Sequence, residues 1–83
     1  MKVEIGEQAK SDLKKMARAQ LIVFGKHIDR MADNRPGRHM KHGLPYFVDE
    51  VGQGRIVYQA LNDTIFVLRC FASHKDYEKW YKS

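Results

Sequence analysis

The chain has 83 residues, of which 43% are apolar and 30% charged, so we expect residues 1–83 to form one small domain with a modest core. Its apolar runs are far shorter than the ~20 residues of a membrane span, and no apolar stretch follows the lysine near its start, so we expect neither a membrane protein nor a secreted one. The single cysteine, Cys70, cannot form an internal disulfide, which fits the reducing cytoplasm.

The net charge of +5 comes entirely from the first half of the chain. Residues 1–43 carry ten basic and five acidic side chains, whereas residues 44–83 carry five of each. The surplus is densest in residues 34–43, which hold three cations, two histidines and no acid. Such a patch attracts polyanions, because binding releases counterions from phosphates. It favours a nucleic-acid or acidic-protein partner; a solvated surface that only improves solubility is the alternative.

The first half predicts a strand followed by two helices. Residues 2–5 alternate polar and apolar side chains, as a short strand does. In residues 7–33 apolar side chains recur at helical steps of three or four, namely at Leu13, Ala17, Leu21, Phe24, Ile28 and Met31. One helix of that length would extend ~40 Å, whereas a domain of this size has a radius of gyration of ~12 Å. We therefore predict a helical hairpin that breaks near Arg18 or at Gly25, and whose second helix is capped by Asn34 and ended by residues 36–37.

The second half changes to the period of strands. Segments 45–51, 55–61 and 64–71 are rich in Val, Ile, Tyr and Phe and are bounded by turn residues. Residues 52–54 make the first turn, and Asn62 and Asp63 suit a two-residue hairpin because both tolerate positive φ. The predicted fold is α+β, in the order β-α-α-β-β-β with a short C-terminal helix. Its three-stranded antiparallel meander has the helices packed on one face.

The predicted hairpin also sets a register, because opposed residues share a face of the sheet. A two-residue turn places Leu61 opposite Thr64, Val57 opposite Leu68, and residue 55 opposite residue 70. The core face then holds Ile56, Tyr58, Ala60, Ile65, Val67 and Phe71. The other face holds Arg55, Val57, Gln59, Phe66, Leu68 and Cys70. If the strand continues past Phe71, the same parity places His74 on this face. A slip of one residue would exchange the two faces.

The side chains can support chemistry on RNA without a metal or a cofactor, and we expect neither. His39 and His42 have ligand-like spacing, but no acid or thiol lies nearby in sequence. Cleavage of RNA through its own ribose 2′-OH needs a proton acceptor, a proton donor and cations at the phosphate oxygens. Histidine titrates near neutrality, and arginine binds phosphate through two parallel hydrogen bonds. Tyr77 and Tyr81 can stack on a base or donate a proton.

Three segments of the second half, 54–60, 62–69 and 73–79, resemble the C-terminal half of the RelE/ParE toxin superfamily. The last segment, Ser-His-Lys-Asp-Tyr-Glu-Lys, is closest to the HigB-like/RelE branch of mRNA interferases. Upstream, residues 43–48 are similar to the strand that follows the family's basic loop, and residues 10–33 to its helical hairpin. The likeness covers nearly the whole chain.

The resemblance implies a toxin of a type II toxin–antitoxin pair. Catalytic members of this superfamily cleave mRNA, commonly on the ribosome, by attack of the 2′-OH on the adjacent phosphate, and so inhibit translation. The partners implied are mRNA, the ribosome and a cognate antitoxin, a helix of which normally covers a hydrophobic groove of the toxin. The location implied is cytoplasmic.

The family's functional residues map onto the second half of this chain and onto its basic loop. Arg55 matches the arginine that binds the scissile phosphate, and His74 the acid or base of the histidine-bearing branch. Lys75 would stabilise charge, and Tyr77 would stack on a base or orient the nucleophile. The candidates for substrate binding are Arg38, Lys41, His42 and Tyr81. The family's Lys-x-Leu-x-Gly stretch appears here only as Met-Lys-His-Gly-Leu at 40–44, and Tyr81 competes with Tyr77 for the catalytic role.

Alternatives remain for the protein and for single residues. Relatives that lack the catalytic set act on DNA gyrase, and a non-catalytic RNA- or protein-binding module is a third possibility. The alternative for His74 is a structural histidine bonded to Asp76 or to backbone. Arg69 is expected to snorkel or to pair with an acid such as Asp49 and not to contact RNA. Trp80 and Tyr81 either dock the last helix on the sheet or form an exposed anchor. The aromatic residues expected in the core or along a groove are Phe47, Tyr58 and Phe66.

Overall fold

The computed structural model describes residues 2–33 and 46–82, together with the backbone of residues 38 and 39. The helices and strands, in chain order, are β1 (Lys2–Ile5), α1 (Glu7–Lys14), α2 (Arg18–Met31), β2 (Arg38–His39), β3 (Phe47–Val51), β4 (Gly54–Leu61), β5 (Thr64–Phe71) and α3 (His74–Lys82). The strands form one sheet in the order β1-β5-β4-β3-β2, in which β1 pairs parallel to β5 and the other pairs are antiparallel. The predicted α+β order is confirmed. The two-residue β2 was not predicted, because so short a segment cannot show an alternation of polar and apolar side chains.

The helical hairpin is confirmed, and its break lies just before Arg18. Lys15 closes α1: its N–H donates to the carbonyl of Asp12 at 3.2 Å, and the N–H of Met16 donates to that of Leu13 at 3.1 Å. Ala17 is extended, with φ −62° and ψ 150°, and begins α2. Gly25 therefore lies inside α2 and does not break it. The predicted end of this helix at residues 34 and 36–37 lies outside the described residues.

The core lies between the helical hairpin and one face of the sheet. Its buried members are Ala9, Phe24, Ile28, Met31, Val51, Ile56, Tyr58, Ile65, Val67 and Cys70. Helix α2 approaches the sheet closely at Gly54, where an added Cβ would lie 2.5 Å from the ring of Phe24 and 2.7 Å from the carbonyl oxygen of Phe71. Glycine is therefore required at this position, because any side chain would displace the helix.

A short polar network ties α2 to the middle of the sheet. Nε2 of His27 lies 3.0 Å from one carboxylate oxygen of Asp49, and the hydroxyl of Tyr58 donates to the other oxygen at 3.1 Å. Tyr58 is buried, as predicted, and its ring stacks on Phe47 with centroids 5.6 Å apart. The network satisfies the polar end of a buried tyrosine, which would otherwise be costly.

The register predicted for the β4–β5 hairpin agrees with the structure near the turn but is wrong farther along the strands. Asn62 and Asp63 have φ of 50° and 63°, as predicted, and Leu61 pairs with Thr64. The pairing then shifts by one residue, so that Val57 faces Arg69 and Arg55 faces Phe71. Leu68 is the extra residue of this β-bulge. The predicted pairs of Val57 with Leu68 and of Arg55 with Cys70 are therefore incorrect.

The bulge exchanges the faces of the last residues of β5, because one extra residue reverses the alternation of side chains. Cys70, which was predicted beside Arg55, packs in the core with 2% of its surface exposed. Phe71, which was predicted in that core layer, lies instead in a second cluster with Val57 and Tyr77 on the opposite face.

Asp12 of α1 holds the bulged end of β5. One carboxylate oxygen accepts hydrogen bonds from Nε of Arg69 at 2.8 Å and from the backbone N–H of Cys70 at 3.0 Å, and the other accepts from Nη2 of Arg69 at 3.1 Å. The partner of Arg69 is thus Asp12, and the suggested pair with Asp49 is wrong. The hydrogen bond to Asp12 raises the pKa of the Arg69 guanidinium. The carboxylate satisfies both a cation and a strand N–H that β1 does not reach.

We predict that Asp12→Ala lowers the free energy of unfolding by about 2–3 kcal/mol, because it leaves a half-buried guanidinium and a backbone N–H without their acceptor. Asp12→Asn, which keeps one acceptor oxygen, should lose less. Urea unfolding followed by circular dichroism measures both. Glu7→Ala in the same helix is the control and should cost about 0.5 kcal/mol or less, because Glu7 is exposed. Equal losses for Asp12→Ala and Glu7→Ala would contradict the role of Asp12.

We also predict that the thiol of Cys70 is unreactive in the folded protein. Burial is the main cause that raises the pKa of Cys70 to about 12, and the charge of Asp12 adds to it. Thiol reagents attack the thiolate, so a disulfide reagent at pH 8 should react slowly in buffer and fast in denaturing urea. Fast reaction in buffer would instead place Cys70 on the face of Arg55, as predicted by a register without a bulge.

Candidate functional site

The second face of the sheet carries an aromatic cluster on which α3 docks. Val57, Phe71 and Tyr77 are buried in it, and the half-buried residues packed against them are Tyr46, Val48, Trp80 and Tyr81. The ring of Phe71 lies 5.5 Å from that of Trp80 and 5.9 Å from that of Tyr77. Trp80 and Tyr81 therefore dock the last helix on the sheet, which is the first of the two alternatives considered. The bulge makes this possible, since it turns Phe71 toward α3.

Arg55 lies on this face, near the start of β4. Its side chain is 15% exposed, and Nη1 donates to the carbonyl of Gly54 at 2.8 Å and to that of Gly52 at 3.5 Å. Nη2 lies 3.6 Å from a carboxylate oxygen of Glu50, which is opposite Arg55 in β3. The guanidinium is thus held at the β3–β4 turn by two neutral carbonyls and one exposed carboxylate. These partners can be exchanged for the oxygens of a phosphate.

His74 is the first residue of α3, and its side chain is 52% exposed. Because β5 ends at Phe71, His74 reaches its position through the helix and not through strand parity. Its Nε2 lies 2.9 Å from a carboxylate oxygen of Glu78, one turn along the helix, and the other oxygen of Glu78 accepts from Lys82 at 2.8 Å. The imidazole is therefore open to solvent and oriented by a carboxylate. Its partner is Glu78 and not Asp76.

Tyr77 lies at the centre of the cluster and is buried. Its ring lies 4.8 Å from that of Tyr81 and 6.0 Å from that of His74. Burial raises the pKa of the Tyr77 phenol, the nearby phenol of Tyr81 raises it further, and the positive charge of Arg55 opposes both. The phenol therefore stays protonated near neutrality and can only donate a proton. Stacking of the Tyr77 ring on a base is disfavoured, because the neighbouring rings cover it.

Tyr77 is thus the link between the two main candidates, since it contacts His74 and lies within the electrostatic field of Arg55. Lys75 is exposed on α3 beside His74. Tyr81 is half-buried, and the ammonium of Lys82 lies 5.9 Å from the centre of its ring. Residue 38 is paired with Val48 through the backbone of β2. The side chain of residue 38 and the whole of Lys41 and His42 lie outside the described part of the chain.

Two acidic residues of the site were not anticipated from the sequence. Glu78 orients His74, and the spacing of four residues between them is a readable signal once a helix is assigned there. Glu50 pairs with Arg55, because the first hairpin turns tightly at Gly52 and residue 53, with Val51 facing Gly54. The predicted turn included all of residues 52–54, so the pairing of Glu50 with Arg55 did not follow from it.

Residues of the described part of the chain line two hollows on the surface. One has a volume of about 460 Å³ and lies between the end of α1, the end of β5 and α3, where Lys15, Arg69, Lys79 and Trp80 line it with other residues. The other, of about 500 Å³, is mostly apolar and is lined by Gln59, Ala60, Leu61, Phe66 and Leu68 near the tip of the β4–β5 hairpin. Phe66 thus lines a groove, which is one of the two positions expected for it.

Within residues 2–33 and 46–82, no three side chains of His, Cys, Asp or Glu are grouped so as to hold a metal ion. The side chains of His39 and His42 fall outside that part of the chain. Among the same described residues, no helix combines the length and the apolar character needed to cross a membrane.

No protein-family model and no curated protein matches the chain. Solved structures match it over most of its length. The isolated RelE toxin of E. coli is similar to it with a TM-score of 0.69 and 15% identity, over 98% of this chain and 95% of that chain. A chain of the RelBE2 toxin–antitoxin complex of Mycobacterium tuberculosis gives a TM-score of 0.68 and 19% identity, over 83% of this chain and 86% of that chain.

A chain of the YoeB–YefM complex of Staphylococcus aureus gives a TM-score of 0.66 and 14% identity, over 89% of this chain and 98% of that chain. The chain therefore has the fold of the RelE-like toxins, and the resemblance seen in the sequence is confirmed at the level of the fold. At such low identity the likeness establishes the fold alone, and the function has to be argued from the site.

The arrangement of Arg55 and Tyr77 predicts that the charge of Arg55 affects the pKa of Tyr77. The pKa of Tyr77 should lie above the usual value for tyrosine of about 10. Arg55→Gln should raise it further, because it removes the positive charge that favours the phenolate, and Tyr81→Phe should lower it. The pH dependence of the Tyr77 ring signals in NMR spectra measures the effect. Lys26→Gln, on the opposite side of the sheet, is the matched control. An unchanged pKa in Arg55→Gln would mean that the two groups do not share a face.

Proposed function

We propose that the protein is the toxin of a type II toxin–antitoxin system and cleaves mRNA, on the ribosome, without a metal. The observation that carries the proposal is the common face of Arg55, His74 and Tyr77, on a fold shared with RelE-like toxins. One cation, one imidazole and one protonated phenol meet the needs of phosphodiester cleavage through the 2′-OH.

In the proposed reaction the ribose 2′-oxygen attacks the adjacent phosphorus, and the bond from phosphorus to the 5′-oxygen of the next nucleotide breaks. His74 accepts the proton of the 2′-OH, and a proton is donated to the departing 5′-oxygen. The products are a 2′,3′-cyclic phosphate and a 5′-hydroxyl end. The electron pair of the new bond comes from the RNA itself, so neither a cofactor nor an oxidant is consumed.

The charges around the site fit these roles. Arg55 would exchange its carbonyl partners for the non-bridging oxygens of the scissile phosphate and stabilise the negative charge that grows on them. The Glu78 carboxylate would stabilise His74 once it has taken up the proton. Tyr77 is suited to donate a hydrogen bond or a proton, because its raised pKa keeps the phenol neutral. Lys75 lies beside His74 and would add positive charge.

The proposed partners follow from the same surface. The basic segment 34–43 adjoins β3 in the chain and would bind RNA backbone through Arg38, Lys41 and His42. Tyr81 is more exposed than Tyr77 and is the better candidate to stack on a base. The mostly apolar hollow at Leu61, Phe66 and Leu68 is the proposed groove for a helix of the cognate antitoxin.

Expression of the chain alone in a bacterial host should stop growth and create new mRNA 5′ ends that depend on translation. Arg55→Ala and His74→Ala should each reduce cleavage at those ends by about a hundredfold or more, because they remove the phosphate cation and the acid–base group. Sequencing of mRNA 5′ ends after induction measures the loss. Lys26→Ala, on the helical side, should cleave like the unaltered chain, and circular dichroism should show that all variants are folded.

Other outcomes would point to other functions. Growth arrest with DNA damage and intact mRNA, unchanged by His74→Ala, would indicate a gyrase inhibitor of the same fold. Harmless expression of the folded protein at high level would indicate a binding module.

A further inference from the structure

Helix α2 exposes a band of apolar and small residues on the side that faces away from the sheet. Three large apolar side chains in a row are unusually open, with exposed fractions of 40% for Leu21, 49% for Ile22 and 51% for Val23. On a helix, Gly25 lies between the first two and Ala19 between the last two, since neighbours are three or four residues apart. Because consecutive residues lie about 100° apart around a helix, Leu21 and Val23 lie on the two flanks of α2, and Ile22, with Ala19 and Gly25 beside it, lies between them. Single exposed apolar residues need no explanation, but a contiguous band does.

Gly25 supplies the second observation. A Cβ added there would have nothing within 4 Å, so no packing inside this chain requires a glycine. Within a helix a glycine is less favourable than an alanine by about 1 kcal/mol. Gly25 carries this cost in the middle of an exposed apolar band. A glycine at an exposed helix position is useful where the backbone of another element or chain approaches closely.

The charges beside the band define what would bind it. Between residues 14 and 30 the chain carries one acid, Asp29, and five exposed cations, namely Lys14, Lys15, Arg18, Lys26 and Arg30. Arg18 and Lys26 lie one turn before and one turn after Ile22. Ile22 is thus framed by two small residues and by two cations. Apolar side chains at the centre indicate a protein partner, and the positive frame indicates an acidic one.

We propose that the band formed by Ala19, Leu21, Ile22, Val23 and Gly25 binds an acidic amphipathic helix of a partner protein. The partner helix would place its apolar stripe over Ile22, approach the backbone at Gly25, and set its carboxylates against Arg18 and Lys26. The band lies on the opposite side of the sheet from Arg55, because Phe24 and Ile28 of the same helix pack in the core cluster. A helix bound here leaves the face of Arg55 uncovered. The inference does not rest on the proposed nuclease activity.

The test uses the full chain labelled with ¹⁵N and a synthetic peptide of about 20 residues, long enough to lie along the whole of α2. The peptide is built of Leu, Ala and Glu, with Leu on one helical face. When the peptide is added, the amide chemical-shift changes of the labelled chain should cluster at residues 18–30. A peptide with Lys in place of Glu should not bind. Ile22→Glu should weaken binding of the acidic peptide about tenfold or more. Gln8→Glu makes the same change of charge at an exposed position of α1 and should leave binding intact.

Gly25→Ala separates docking from folding. It should raise the midpoint of thermal unfolding of the free chain by about 4–8 °C, since alanine favours the helix and has open space there. It should also weaken binding of the acidic peptide several-fold, because the added methyl group holds the partner helix away. A variant that is more stable yet binds more weakly cannot be explained by damage to the fold.

The proposal is overturned if the acidic peptide does not shift residues 18–30. It is also overturned if Leu61→Glu, a change in the apolar hollow at the hairpin tip, abolishes binding and Ile22→Glu does not. It is also overturned if vesicles of anionic phosphatidylglycerol or a single-stranded RNA oligonucleotide shift these residues while the peptide does not. Shifts at α2 that grow with protein concentration alone would assign the band to a second copy of the chain, and that result would equally contradict it.

Discussion

The carboxylate of Asp12 fixes the part of the structure on which the functional face depends. It accepts hydrogen bonds from the Arg69 guanidinium and from the backbone N–H of Cys70, just beyond the extra residue that makes β5 bulge. A bulge leaves part of a strand without its regular partner, and such a group is costly unless something satisfies it. Asp12 does so from α1, and it thereby ties the helical hairpin to the end of β5.

The consequence of the bulge is a reversal of faces. Without it Phe71 would enter the core, and Cys70 would lie beside Arg55. With it the core receives the small Cys70, and the ring of Phe71 becomes the platform for Tyr77 and Trp80. Helix α3 docks on that platform and places Tyr77 between His74 and the charge of Arg55. A contact in the helical half of the protein thus supports the strand geometry that brings these side chains together on the opposite face of the sheet.

The order of strands and helices could be predicted from the sequence, because each has a strong local cause. Alternation marks β1, steps of three and four mark the helices, and Asn62 and Asp63 mark the hairpin. The bulge could not be predicted, since the contact that stabilises it joins Asp12 to a strand more than 50 residues away. Neither Arg69 nor Leu68 carries a local sign of it.

For the candidate site, too, the residue types could be predicted from the sequence, whereas their contacts depend on the tertiary structure. Arg55, His74, Lys75 and Tyr77 were proposed from resemblance and from residue chemistry. The predicted register placed His74 on the face of Arg55 by the parity of a continued strand, but with the bulge that parity would put it on the core side, as it does Cys70. His74 reaches the face of Arg55 because α3 begins at His74 and packs on aromatic rings. Glu78 and Glu50 were missed because their contacts depend on a helix start and a tight turn that were assigned only approximately.

The central claim is that the face of Arg55, His74 and Tyr77 cuts RNA through the ribose 2′-OH. The chemical identity of the cut ends tests it most directly, because the attacking oxygen determines which fragment keeps the phosphate. RNA recovered after induction should carry 2′,3′-cyclic phosphates on the upstream fragments and 5′-hydroxyls on the downstream ones, and these ends should disappear in His74→Ala. New fragments with 5′-phosphates and 3′-hydroxyls would contradict the account, because they require attack by water.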